Sequence, residues 1–397
     1  MSGLYIHIPF CLSKCAYCGF YSVATLKRKA EFLEALRQEI ILRKDYLRGE
    51  KVETVYFGGG TPSLMTIEEL REVFVTLQVS FEIDPQAEIT LEANPDTLSL
   101  EYLEGLRSLG VNRLSIGIQS FFDEDLKYLS RRHNADHALQ SIHWAKQAGF
   151  DNIGIDLIYG LPTADADRWS RNLDRFLELE LPHLSAYALT LEPNSILTRQ
   201  ISQGKVAPVN EDDAVRDYGT LCQKMAQAGY LHYEISNFCH PGMHSRHNSS
   251  YWFGIPYAGF GPAAHSYDGV SRQWNDSSLE HYLERFSTLH PARDASSVTE
   301  ATSSSSASPL GDASSVTETL TPEQQYNEYV MLRLRTMWGV DLKYIKREMG
   351  ERFSKYCERQ AQPLLAQGRL SQTREFLHLT DEQMLFADGI AETLFML

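Results

Sequence analysis

Basic residues are scarce in this chain of 397: 37 Lys and Arg stand against 52 Asp and Glu, for a net charge of −15. Nucleic-acid binders usually show a basic excess, and anionic membrane surfaces attract basic segments, so the charge argues against both partners. Long apolar runs are missing too, since none reaches the ~18 residues a membrane span needs. Hydrophobic content of 43% and charged content of 22% are those of a soluble globular chain. Met1-Ser-Gly-Leu-Tyr-Ile-His7 lacks the basic start and apolar stretch of a secretory signal, so a cytoplasmic location is expected. Cysteine is sparse, with six in all. Cys11, Cys15 and Cys18 are crowded together, whereas Cys222, Cys239 and Cys357 are scattered. A disulfide framework would be spread more evenly, and a reducing cytosol would not keep its bridges. Three clustered thiols therefore read as metal ligands.

Up to about residue 195 the chain alternates short apolar runs with amphipathic stretches. Leu4–Ile8, Thr54–Phe57, Ile89–Glu92, Arg113–Gln119, Ile153–Tyr159 and His183–Leu189 are strand-like, rich in Ile, Leu, Val and Tyr. Helical patterns fall between them, over 29–48, 66–78, 99–109, 134–148 and 167–179. This alternation predicts a parallel sheet, either an incomplete (β/α)6 barrel or an open doubly wound sheet. A further helix over 211–228 leads to a strand at His232–Phe238. Residues 239–275 read as irregular, dense in His, Gly, Tyr and Trp. Thirteen of the thirty residues from Pro291 to Leu320 are Ser or Thr. This stretch repeats Asp294-Ala-Ser-Ser-Val-Thr-Glu300 at Asp312–Glu318 and reads as a flexible insertion. Thr321 and Gln324 then form a capping-box pattern that opens a small, mainly helical C-terminal domain, and Thr380 with Gln383 repeats it. The expected domains are a partial barrel over 1–200, its completion with a binding loop over 201–290, the insertion over 291–320 and the helical domain over 321–397.

The spacing Cys11-x3-Cys15-x2-Cys18 directly follows the first strand. Thiolates suit iron–sulfur clusters and zinc. Structural zinc takes four protein ligands, and only three are local here. A [4Fe–4S] cluster on three thiolates keeps one iron open for a ligand. Period-two alternation puts Tyr5, His7 and Pro9 on one face of the first strand and Leu4, Ile6 and Ile8 on the other. Phe57-Gly-Gly59-Gly60-Thr61-Pro62 follows the second strand, where glycines let a ligand approach the backbone. Glu92 closes the third strand and Gln119 the fourth; Arg131 follows, and Asp156 lies within the fifth. Ionisable groups in apolar strands need a partner or a ligand. Arg131 and Asp156 either pair with each other or hold a polar cofactor.

The cysteine spacing, with Tyr17 at the aromatic position, resembles the radical SAM superfamily. That resemblance implies a [4Fe–4S] cluster on Cys11, Cys15 and Cys18, with S-adenosylmethionine (SAM) beside it. It assigns Tyr5, Gly59, Gly60, Thr61, Glu92, Gln119, Arg131 and Asp156 to the SAM pocket. Tyr-x-His-x-Pro-Phe-Cys, Gly-Gly-Gly-Thr-Pro-Ser, Glu-Ala-Asn-Pro, Gly-Ile-Gln-Ser-Phe and Asp-Leu-Ile-Tyr-Gly-Leu-Pro are together similar to the oxygen-independent coproporphyrinogen III oxidase-like family. The oxidases of that family carry a further cysteine where this chain has Phe20, and an N-terminal extension ahead of the first strand. These departures resemble the family's haem-chaperone branch, as does His247-Asn-Ser-Ser-Tyr-Trp252. The resemblance implies haem as ligand, His247 in its binding, a haem-acceptor protein and an electron donor. Imidazole is a good axial ligand, and Tyr251 and Trp252 offer flat contact to a macrocycle. Cys239, His240, His244 and His265 are other candidate ligands, and the same loop could instead cap the barrel.

Overall fold

The computed structural model describes residues 2–162, 165–193, 195–287 and 315–396. Its first half runs β1 (Ser2–Ile8), α1 (Lys29–Leu42), β2 (Val52–Gly59), α2 (Ile67–Ser80), β3 (Ile83–Ala93), α3 (Leu100–Ser108) and β4 (Arg113–Gln119). It continues with α4 (Asp123–Tyr128), α5 (Ala135–Gln147), β5 (Asn152–Tyr159), α6 (Arg168–Glu178) and β6 (His183–Ala188). The six strands pair in sequence order and all run parallel, an incomplete (β/α)6 barrel. Alternation along β1 works as its pattern predicts. Leu4, Ile6 and Ile8 are fully buried in the apolar core, while Tyr5 and His7 share the other face and contact each other. Thr66 and Glu69 close α2 with a reciprocal capping box, which helps fix where the chain leaves the β2 turn.

After β6 come α7 (Ile196–Ser202) and α8 (Glu211–Gln227). The single strand expected over His232–Phe238 is a hairpin, β7 (Leu231–Glu234) and β8 (Asn237–Cys239). Ile235 and Ser236 make the turn, and β8 pairs antiparallel to β6. The stretch expected to be irregular is also structured. It holds α9 (Arg246–Trp252), β9 (Tyr257–Phe260), β10 (His265–Tyr267) and β11 (Ser271–Asn275), followed by α10 (Leu279–Ser287). β9 joins the free edge of β1 as a seventh parallel strand. A buried ion pair secures this addition: Glu39 and Arg43 of α1 lie 2.8 Å apart. Glu39 accepts from Gly261 N, Asn275 Nδ2 and Tyr282 OH, and Arg43 donates to Gly259 O and Ser266 Oγ. A buried ion pair stabilises only when its remaining donors and acceptors are matched, and here both partners are multiply bonded.

Most of the expected insertion lies outside the described residues. Its last part departs from the flexible reading, because Ser315–Thr319 form strand β12, paired antiparallel to β11. The C-terminal module opens with α11 (Pro322–Leu334), whose Thr321–Gln324 capping box forms as the spacing predicts. The second expected box does not form, since Thr380 makes no side-chain cap bond. The turn after α11 docks on the barrel hairpin through a bridge from Thr336 to Glu234 and a bond from Met337 N to Tyr233 O. Among the described residues no helix is long and apolar enough to cross a membrane.

Candidate functional site

The loop carrying the three cysteines leaves the C-terminal end of β1. Its base is closed where Cys11 N donates to Val23 O and Val23 N to Pro9 O. Its middle is pinned by Ala16, which is fully buried, donates to Leu129 O and accepts from Leu197 N. The cysteines are free and half-buried around this anchor. Two receive donors on sulfur: Thr61 Oγ1 lies 3.5 Å from Cys11 Sγ, and Arg131 Nη1 lies 3.4 Å from Cys15 Sγ. A hydroxyl and a guanidinium of the chain are thus directed at two of the three sulfurs. Burial pushes the Cys18 thiol up. Among the described residues no group of His, Cys, Asp or Glu is gathered tightly enough to hold a single metal ion. A cleft beside the loop is lined by Cys15, Thr61, Asn94 and Arg131.

Arg131 does not pair with Asp156. Its guanidinium donates to Asn94 Oδ1 at 2.6 Å and Gly117 O at 2.7 Å, besides Cys15. Asn94 also donates to Thr61 Oγ1 at 3.0 Å. Asn94 therefore sets both side chains that reach the cysteines, a role the Glu-Ala-Asn-Pro motif contained but that sequence reading left unassigned. Gln119 ends β4 with φ 69°, a left-handed conformation that non-glycine residues rarely adopt and that clusters at functional sites. Asp156 accepts from Ser115 Oγ at 3.2 Å, and burial raises its pKa. Glu92 accepts from Tyr56 OH at 2.7 Å and from Gly59 N at 3.2 Å. Tyr5 OH lies 3.2 Å from His7 Nδ1, and His7 Nε2 lies 3.0 Å from Tyr21 O. His7 was missed as a site residue; its place beside Tyr5 on the inward face of β1 was the available signal. The glycines of the β2 turn pack first against this chain's own β1: a Cβ on Gly59 would meet the His7 ring, and one on Gly60 would meet Phe10 O and Ile8 O.

His247 is not at a surface. Helix α9 caps the opposite, N-terminal end of the barrel, with Arg246 N and His247 N donating to Glu88, the β3 residue paired with Thr54 of β2. The His247 side chain points inward and is 1% exposed. Nδ1 lies 2.8 Å from Thr54 Oγ1 and Nε2 lies 2.8 Å from Tyr251 OH. Both ring nitrogens are thus engaged by side chains of this chain, Thr54 from β2 and Tyr251 from α9 itself. Its ring stacks on Tyr56 at 4.9 Å, which connects the cap to the Glu92 hydrogen bond. Arg113 and His183 share this barrel floor. Among the described residues Arg113 Nε, Arg113 Nη1 and His183 Nδ1 are buried without a partner.

Burial lowers the His247 pKa to about 3 and raises that of Glu92 to about 7. The two signs make opposite predictions for the stability of the metal-free chain. His247 folds neutral, so stability present above its ordinary value is lost as pH falls; between about pH 7 and pH 5 that loss is about 2 kcal/mol. Glu92 is penalised when ionised, and the penalty fades over the same fall, returning about 2 kcal/mol. Denaturant titrations at both pH values check this. Relative to the parent, His247→Gln should gain stability on acidification and Glu92→Gln should lose it. Parallel pH profiles for all three proteins would refute the assignment.

Residues 5–175 match the Radical SAM superfamily and residues 320–386 match the HemN C-terminal domain. Over 99% of its length the chain is 34% identical to the heme chaperone HemW of Mycobacterium tuberculosis (strain H37Rv), covering 94% of that protein. It is 31% identical to the heme chaperone HemW of Bacillus subtilis (strain 168), with 98% of each chain covered. Among solved structures, the Escherichia coli coproporphyrinogen III oxidase HemN, described as a Radical SAM enzyme, aligns with a TM-score of 0.80 at 24% identity. That alignment covers 99% of this chain and 90% of the other, and the likeness is one of fold.

Proposed function

The chain belongs to the heme chaperone HemW family, and on that premise we propose that it binds haem and passes it to haem-free acceptor proteins in the cytoplasm. The observation that carries this reading is similarity to HemW relatives along the whole chain, barrel and C-terminal module together.

The radical SAM superfamily works with a [4Fe–4S] cluster and SAM, and the residues of this chain fit both. The fit rests on three thiols in one anchored loop, two of them receiving donors on sulfur, beside a polar cleft. Cys11, Cys15 and Cys18 would hold the cluster. When bound, cluster and SAM supply one-electron chemistry. Arg131, fixed by Asn94 and Gly117, would pair with the methionine carboxylate. Gly59, Gly60 and Thr61 would present backbone to the amino group, and Glu92 would accept from ribose hydroxyls. Tyr5, Gln119 and Asp156 complete the polar lining.

The test uses the full chain with its cluster reconstituted anaerobically. Haem loading should saturate near one equivalent, and mixing with a haem-free acceptor should move the haem to it. The same preparation, given SAM, a reductant and coproporphyrinogen III, should release no decarboxylated product. Turnover of coproporphyrinogen without haem transfer would replace the chaperone reading with the oxidase one.

A further inference from the structure

Arg113 opens β4 on the inward face of the barrel and is 1% exposed. Its Nε and Nη1 meet no acceptor among the described residues. A guanidinium does not shed its proton, and a buried charge is costly unless other charges balance it. Strand register shows what balances this one. Arg113 pairs with Thr90 of β3, and Glu92 is the next residue of that strand on the same face. On its own strand Arg113 is two residues before Ser115, which donates to Asp156. On β5 the residue of this face before Asp156 is Gly154, and its missing side chain leaves room for the guanidinium. A Cβ there would lie 3.2 Å from Arg113 Nη2 and 3.0 Å from His183 Nδ1. Arg113 thus lies one layer, or about 7 Å along the strands, below both carboxylates.

The other groups nearby do not take up its charge. His183 and His247 are kept neutral, chiefly by burial and further by Arg113 itself. Tyr233 of β7 and Cys239 of β8 also lie in its field, and burial keeps both protonated. Glu88, the lower carboxylate of β3, is occupied by the two amides of α9. Glu92 itself is faced by Tyr5, Tyr56, Tyr187 and Tyr251, which burial holds as phenols. It is also faced by Asp156, whose like charge opposes ionisation. Arg131 faces Asp156 as well, but its guanidinium is bonded to Asn94, Gly117 and Cys15.

We propose that Arg113 is a positioning residue of the SAM pocket: from the layer below, it is the shared counter-charge that lets Glu92 and Asp156 stand side by side as carboxylates, so that Glu92 accepts from the ribose hydroxyls. The assignment rests on the SAM reading above and adds to it a residue that touches neither SAM nor the cysteine loop. Two carboxylates in one buried space oppose each other's ionisation, and a cation near both relieves that opposition. Its field reaches them without a direct bond because charges inside a protein are weakly screened. An ion pair with either carboxylate would favour that one alone and would occupy the oxygens that SAM needs. Burial, with Asp156 adding to it, holds Glu92 up at about 7, while the Tyr56 bond, the Gly59 amide and the Arg113 charge pull it down. Glu92 is therefore poised where loss of one nearby cation changes its charge at neutral pH.

The full chain with its cluster reconstituted is titrated calorimetrically with SAM from about pH 6 to about pH 9. Parental affinity should rise as pH passes about 7, where Glu92 ionises. Losing a cation raises a carboxylate's pKa, so Arg113→Met should move that rise upward by about one to two pH units. Its affinity should then be about tenfold or more below the parent's at neutral pH, with most of the difference recovered at the alkaline end. Arg113→Lys, which returns a charge, should restore the parental profile. In a Glu92→Gln background, Arg113→Met should cause little pH-dependent loss. The amino group of SAM titrates alike against every variant and drops out of the comparison. If Arg113→Met alone does not fold, the pair with Glu92→Gln decides, since it has one carboxylate fewer to balance and should fold. Failure of that pair too would leave Arg113 a purely structural residue and overturn the proposal. Equal weakening by Arg113→Met at every pH, or parental affinity throughout, would overturn it while leaving the SAM pocket intact. A parent chain that binds no SAM would overturn the pocket itself.

Discussion

Arg131→Ala should lower SAM affinity about a hundredfold and reduce the iron retained per chain. A charge-assisted hydrogen bond inside a protein is worth about 1.5–3 kcal/mol, and each 1.4 kcal/mol is a factor of ten in affinity. Losing one such contact to the methionine carboxylate accounts for the hundredfold. The effect on iron has a separate cause. Arg131 donates to Cys15 Sγ, and through Asn94 it is linked to Thr61, whose hydroxyl faces Cys11. Removing the guanidinium leaves Asn94 Oδ1 and Gly117 O without their donor and takes the cation from beside the Cys15 sulfur. Arg131→Lys separates the two roles. It restores a charge near sulfur but not the planar fork that reaches two acceptors at once, so iron should recover more than SAM affinity does. Calorimetric titration with SAM and iron analysis on the reconstituted chain read the two effects. If Arg131→Ala binds SAM as the parent does, the carboxylate contact is wrong. If it also keeps full iron, the link to the cysteine loop falls as well.

How much of this was written in the sequence depended on length and periodicity. The six barrel strands were legible because each is an apolar run rich in Ile, Leu, Val and Tyr, and the parallel sheet followed from the helices between them. Tyr5 was legible as inward because β1 alternates strictly. The later part of the barrel was less legible for reasons of scale. β7 and β8 are short, and the run His232–Phe238 reads as continuous because nothing in Ile235-Ser236 announces a turn. Helix α9 spans Arg246–Trp252 with polar residues at most positions, too short and too polar for a 3.6-residue period to emerge. Its composition suggested chemistry but not direction. Which of His244 and His247 faces inward is decided by where α9 docks on β1 and β2, and that is a tertiary contact. Asn94 escaped for a similar reason: its partners, Thr61 after β2 and Arg131 after α4, are distant in sequence and meet it only when the sheet and the turn after α4 are assembled. The second copy of the seven-residue repeat read as insertion, but Ser315–Thr319 finds the open edge of β11, and Ser-Val-Thr-Glu-Thr is β-compatible once a partner strand is present.

Substituting the glycine turn should be the most damaging change that alters no charge. The same three glycines that suggested room for a ligand are held against β1, so the cost of a methyl group depends on what it meets. A Cβ on Gly60 would lie 2.7 Å from Phe10 O and 2.8 Å from Ile8 O, backbone atoms that no rotamer change can move. At Gly59 the φ of +106° disfavours any side chain, and the Cβ would lie 2.6 Å from the His7 ring. Gly60→Ala should therefore cost about 4 kcal/mol, toward the upper end for single substitutions, and Gly59→Ala about 3 kcal/mol. The damage should also be chemical. Relief of the Gly60 clash moves Phe10 away from β2, and Cys11 is the next residue, so the cysteine loop loses its register with Thr61. Gly219 supplies the control. It lies inside α8, and a Cβ there meets nothing within 4 Å. Gly219→Ala should stabilise by up to about 1 kcal/mol through helix propensity and leave iron content unchanged. Thermal unfolding and iron analysis of the three variants decide the matter. Gly60→Ala with parental Tm and full iron would show that the turn is looser than its contacts imply. A destabilised Gly60→Ala that still holds full iron would separate the turn's structural role from the cysteine loop.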